Sequence, residues 1–141
     1  MKPPVKVARA EAEQIAGLVE HLKRNFAVDA ADIRIVKAPL RISPLGAHID
    51  HQLGPVTGMT IDQAVLMAFA PHAERRVEIE SLNFEQLVSF DLDQVPPYQK
   101  GDWGNYIRGA ALALQQTHHL KRGLVGVVGG DMPIGGLSSS A

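Results

Sequence analysis

An α+β chain with a single antiparallel or mixed sheet is what this sequence predicts. Three features carry that expectation: an amphipathic helical stretch near the start, a series of short β-like segments after it, and a second helical stretch leading into an apolar strand. The length of 141 residues and a hydrophobic fraction of 45% suit one domain with a buried core.

From about Ala8 to Phe26, the residues Ile15, Leu18, Val19, Leu22 and Phe26 recur at helical spacing, with Glu11, Glu13, Glu20, Lys23 and Arg24 between them. The segment Ile33 to Lys37 alternates β-branched residues and reads as a strand ending at Pro39. Four more β-like stretches follow: Val56 to Ile61, Ala64 to Ala70, Arg75 to Glu80 and Leu87 to Leu92. Gln94 to Asp102, with its Pro96-Pro97 pair, reads as a loop. Trp103, Tyr106, Ile107, Ala110, Ala111 and Leu114 mark one face of the second helix, with Gly123 as its expected stop. Leu124 to Val128 reads as a last apolar strand.

A formal net charge of −1, from 14 basic and 15 acidic residues, gives no field that would gather nucleic acid or an anionic membrane. The absence of cysteine rules out a disulfide framework and a thiolate metal site, which fits a reducing compartment such as the cytoplasm. The start, MKPPVKVARAEAEQ, has no apolar run of the kind a secretory signal needs.

Three segments hold the residue types that chemistry needs. The first is the glycine and serine stretch Gly129 to Ala141, directly after an apolar strand. Glycines allow close approach to phosphate oxygens, the orphan N–H groups of a helix start attract anions, and a serine hydroxyl can meet phosphate or Mg²⁺. The lysine of an ordinary P-loop is missing, and taken alone the stretch reads equally well as a flexible Gly/Ser tail. The second is Arg41-Ile42-Ser43-Pro44-Leu45-Gly46-Ala47-His48-Ile49-Asp50-His51. Asp50 and His48 supply a carboxylate and an imidazole that can hydrogen-bond hydroxyls, and Arg41 a cation that can steady phosphoryl charge; a connecting loop or a metal site are the other readings of the same residues. The third is Trp103-Gly104-Asn105-Tyr106-Ile107-Arg108-Gly109, whose aromatic pair serves core packing on spacing alone. His21, His72, His118 and His119 read as surface or helix-end residues without a role.

Taken in order, these segments resemble the signatures of the GHMP kinases, in their galactokinase-like branch. Pro133 to Ala141 is similar to the phosphate motif P-x-G-x-G-L-S-S-S-A, one residue shorter between Pro133 and Leu137 than the commonest galactokinase form. Arg41 to His51 is similar without gaps to R-V-N-L-I-G-E-H-T-D-Y, and Trp103 to Gly109 resembles W-x-N-Y-x-x-G. The resemblance implies the α+β amino-terminal domain of that family, ribosomal protein S5 domain 2-like, reached here only as far as the start of its phosphate-binding helix. It divides the chain into a leading helix over 1–30 and a sugar- and ATP-binding portion over 33–141, and it places the family's second domain outside the sequence.

The resemblance implies an ATP-dependent sugar 1-kinase using Mg²⁺. In it Arg41 stabilises transition-state charge, and Ala47, His48 and Asp50 contact the sugar. Trp103 and Tyr106 lie by the adenine, and Gly135, Gly136, Leu137, Ser138, Ser139 and Ser140 hold phosphate, with Ser139 as a candidate Mg²⁺ ligand. The family's base aspartate lies beyond Ala141, so this stretch by itself is expected to be inactive and prone to self-association.

Ala47 replaces a glutamate that in galactokinases contacts the hydroxyl on the sixth carbon. Two carboxylates about 4 Å apart repel by roughly 4 kcal/mol at an effective dielectric of about 20, so that glutamate would exclude a sugar acid by on the order of a thousandfold. Alanine removes the exclusion, and the local run looks closest to plant-type galacturonokinases. Galactokinase proper and a non-catalytic sugar and ATP sensor are the alternatives the resemblance allows.

Overall fold

Period-two alternation of apolar residues on both sides of the central strands calls for a sheet covered on both faces, and the computed structural model has that arrangement. It describes residues 9–46 and 49–131, excluding the side chain of Asp50. Helix α1 (Glu11–Asn25) is followed by strands β1 (Arg34–Ile42), β2 (Met59–Pro71), β3 (Arg76–Ser81) and β4 (Val88–Asp91), helix α2 (Gly104–Gln115) and strand β5 (Leu124–Gly129). Short 3-10 turns cover Ala30–Asp32 and Asp50–Gln52. The five strands form one mixed sheet in the order β1-β2-β5-β3-β4, with β3 and β5 parallel and every other neighbouring pair antiparallel.

The alternation along β2 and β5 divides the core in two. Leu66, Ala68 and Ala70 of β2 and Val125 and Val127 of β5 face α1, where Leu18 and Leu22 are buried against them. Met67, Leu124 and Val128, the residues between, pack on the opposite face with Val77, Ile79, Val88 and Phe90, beneath Ile107 and Ala111 of α2. Each large aliphatic side chain removed from water here contributes roughly 1.5–3 kcal/mol. Helix α1 also opens on Glu11 and Glu13 and closes on Lys23 and Arg24, in line with its dipole.

Three boundaries depart from the sequence expectation. Strand β1 runs through Pro39 to Ile42 instead of ending there. It is an edge strand, and its register shifts between Pro39 and Arg41, so the missing proline N–H is accommodated by a bulge. The stretches around Ile61 and Ala64 form one 13-residue strand, β2, and not two. Helix α2 ends at Gln115, well before Gly123.

Gly123 has a different purpose. Its N–H donates to the Glu74 carbonyl at 2.8 Å and its own carbonyl accepts from His72 N–H at 3.0 Å. A Cβ at this position would stand 1.8 Å from the Arg76 carbonyl oxygen, so two backbones meet where no side chain fits. Among the described residues no helix is long and apolar enough to cross a membrane.

Candidate functional site

Strands β1 and β5 both run antiparallel to β2, and β3 runs parallel to β5, so the carboxyl ends of β1, β3 and β5 share one end of the sheet. Three connections converge there: the segment after Ile42, the loop after Ser81, and the chain leaving Gly129. Helix α2 begins at the same end, where Gly104 packs on Val88, itself paired with Ile79 near the end of β3. A ligand at the carboxyl ends of strands in an open sheet meets loops from separate parts of the chain, and such crevices are the common sites of sheet proteins.

Between α2 and the sheet lies a cavity of about 440 Å³. Its walls include Met67, Ile79, Phe84, Trp103, Tyr106 and Val128, and its mouth reaches Gly129 and Gly130. The Trp103 ring stacks on Phe84 with centroids 6.0 Å apart and planes 17° apart. Its indole N–H donates to the Glu85 carbonyl at 3.3 Å, which fixes the ring's orientation. Tyr106 is 85% exposed, so it is not the core residue its spacing suggested. The aromatic pair also borders a second, more open cavity of about 700 Å³ on its other side, toward Tyr98 and Gly101.

The start of α2 is braced by Asp102, to which the sequence reading gave no role, and by Asn105 and Arg108 of the tryptophan motif. One Asp102 carboxylate oxygen accepts from the Gly104 N–H at 2.7 Å, and the other accepts from Arg108 Nη2 at 2.7 Å. Those contacts hold the Asp102 carboxyl below its ordinary pKa, the Arg108 hydrogen bond being the main cause. Arg108 is buried and also donates to Asn105 Oδ1 at 2.8 Å. Asn105 in turn exchanges hydrogen bonds with both backbone groups of Gln99, tying the proline-bearing loop to the helix. The polar residues of the tryptophan motif therefore position its aromatic ones. An aspartate two residues ahead of a helical stretch was the available sequence signal.

Arg41 sits at the end of β1, exposed, with Nη1 donating to Ser43 Oγ at 2.6 Å. The loop after it is closed by its flanks: Leu45 N–H donates to Thr57 Oγ1 at 3.0 Å and Thr57 N–H donates to the Leu45 carbonyl at 3.0 Å. Gly46 has φ +78, and a Cβ there would lie 2.5 Å from the Pro55 carbonyl oxygen, so only glycine permits this turn. Asp50 opens the 3-10 turn. The candidate contacts Ala47 and His48, the Asp50 side chain, and the expected phosphate residues Gly135, Gly136, Leu137, Ser138, Ser139 and Ser140 lie outside the described residues.

The apolar, aromatic-walled cavity suits a purine base. Among the described residues no group of three or more His, Cys, Asp or Glu could hold a metal ion.

A family model described as the galactokinase galactose-binding signature matches residues 21–71, which contain the last third of α1, β1, the Arg41 loop and β2. A galacturonokinase from Arabidopsis thaliana is 40% identical over 132 residues, spanning 80% of this chain and 31% of that protein. A galactokinase from Thermococcus kodakarensis is 39% identical over 108 residues, spanning 75% of this chain and 29% of that protein. The chain thus spans about a third of the length of these relatives. Among solved structures, Lactococcus lactis galactokinase complexed with galactose superposes with a TM-score of 0.76 at 24% identity, over 86% of this chain and 32% of that one. Methanococcus jannaschii mevalonate kinase superposes at 0.57 with 13% identity, over 76% of this chain and 35% of that one.

Proposed function

Because the chain belongs to the galactokinase-like GHMP kinases, we propose that it is the sugar- and nucleotide-binding portion of an ATP-dependent kinase acting on the anomeric hydroxyl of D-galacturonic acid. The observation that carries the reading is the convergence, at one end of the sheet, of the Arg41 loop, the Trp103 and Tyr106 cavity and the strand leading into Pro133 to Ala141.

In this reading the base of ATP occupies the 440 Å³ cavity against Trp103, with Tyr106 at its rim. Gly135, Gly136, Leu137, Ser138, Ser139 and Ser140 would hold the phosphates, and Ser139 would help hold a Mg²⁺ ion that offsets their charge. The anomeric hydroxyl would give its proton to the aspartate that the family resemblance places beyond Ala141, its oxygen attacking the γ-phosphorus as the bond to the β,γ-bridging oxygen breaks and ADP leaves. Positioning and charge stabilisation are the main demands of such a transfer, and Arg41 answers the second. Asp50 and His48 hold the sugar, and Ala47 leaves the sixth carbon's carboxylate unopposed. The uronate preference is supported by Ala47 and by the likeness to the Arabidopsis galacturonokinase.

Trp103 is the chain's only tryptophan, so its fluorescence reports the cavity directly. Adding Mg·ATP is expected to change its intensity saturably, and Trp103→Phe should abolish the signal. A flat titration that leaves ATP unbound by calorimetry contradicts the nucleotide site. In the kinase, Ala47→Glu is expected to move preference from galacturonate toward galactose by on the order of a thousandfold; an unchanged preference defeats the uronate assignment.

A further inference from the structure

Gly130 and Asp131 are the last two described residues, near the start of the glycine and serine stretch, and each is gripped by a side chain from far away in the sequence. Asn83, in the loop after β3, donates from Nδ2 to the Gly130 carbonyl at 2.9 Å and accepts at Oδ1 from the Gly130 N–H at 3.0 Å. One amide thus reads both polar groups of a single residue, a pairing available only to Asn or Gln. The Asn83 loop is itself held, since the N–H groups of Asn83 and Phe84 both donate to Ser81 Oγ, at 3.1 and 3.2 Å.

Arg9, just ahead of α1, meets Asp131 as a fork. Nη2 lies 2.7 Å from Oδ1, Nε lies 3.0 Å from Oδ2, and the Arg9 backbone N–H donates to Oδ2 at 2.9 Å. The Asp131 side chain is only 8% exposed, so this is the stronger, partly desolvated class of ion pair.

Resting on the nucleotide reading above, we infer that Asn83 and Arg9 are positioning residues for triphosphate binding, a two-point clamp that fixes where the chain leaves β5 for its phosphate segment. Arg9 lies outside the lining of the 440 Å³ cavity, and Asn83, which belongs to that lining, spends its amide on Gly130. Asn83 fixes the direction of the Gly130 peptide, which borders the cavity. Arg9 fixes the Asp131 side chain and neutralises a carboxylate that would otherwise stand beside the incoming phosphates. Loop amides aimed at phosphate are useful only to the extent that they are held in advance, since ordering them on binding costs affinity.

The test compares Mg·ATP with adenosine, which shares the base and lacks the phosphates. Calorimetry would be run on the whole chain and on Asn83→Leu, Arg9→Met and Arg9→Lys, with thermal unfolding showing that each is folded. The expected result is a loss of about fivefold to tenfold in ATP affinity for Asn83→Leu and Arg9→Met, with adenosine affinity within twofold of the unsubstituted chain for Arg9→Met and reduced less than ATP affinity for Asn83→Leu, whose side chain also lines the cavity. Arg9→Lys, which keeps the charge without the fork, should recover part of the loss, and added salt should narrow the Arg9→Met deficit. Parallel weakening of both ligands, or unchanged ATP binding, overturns the clamp and leaves the nucleotide site standing. An unsubstituted chain that binds neither ligand overturns the nucleotide site, and the clamp's role with it.

Discussion

At Gly123 two stretches of backbone come so close that an added methyl group has nowhere to go, because the facing atoms belong to the Arg76 main chain and not to a flexible side chain. Gly123→Ala is therefore expected to destabilise the fold by about 3 kcal/mol or more, seen as a lower urea midpoint. Asp102 makes a pH-dependent contribution. Its carboxyl is held below the ordinary value by Arg108 and the Gly104 N–H, so the folded state prefers it ionised. The resulting stability is complete above the unfolded pKa of about 3.9 and is lost as pH falls through the lower folded value. Asp102→Asn should be less stable than the unsubstituted chain at pH 7, and the gap should narrow progressively as pH falls below about 4. A gap constant across that range would show that Asp102 acts by some means other than its charge. Single residues of this kind were poorly legible in the sequence: Gly123 resembled a helix stop, and only the paired strands show why it is glycine.

Elements were more legible than their limits. The spacing of Leu18 and Leu22 placed α1, and the alternation of Leu66, Ala68 and Ala70 placed β2, because each pattern reflects a face turned to the core. Pro39 misled because a proline ends a central strand but not an edge strand with a bulge, and edge position is a property of the sheet. Leu22 is fully buried between α1 and the sheet, whereas Leu114 on α2 is 50% exposed. Leu22→Ala should cost about 2–5 kcal/mol, and Leu114→Ala well under half of that, by chemical denaturation. Equal losses would mean that α1 does not close the core as described.

For the whole molecule, the motifs were legible because each is a local run of residues, and the sheet explains why such distant runs meet: parallel β1, β3 and β5 deliver their following loops to one end. The contacts that brace the site were not legible. Asn83 to Gly130 spans 47 positions and Arg9 to Asp131 spans 122, and nothing in either local sequence announces its partner. The same limit applies to Phe84, which stacks on Trp103 from the far side of β4. The central claim, anomeric phosphorylation of a uronic acid, is tested most directly by phosphorus NMR on the polypeptide encoded by the whole reading frame, supplied with Mg·ATP and D-galacturonate. The account predicts that the γ-phosphate signal is replaced by ADP and an anomeric sugar phosphate, with galactose turned over far more slowly. ATP that binds but stays intact beside every sugar offered would contradict it.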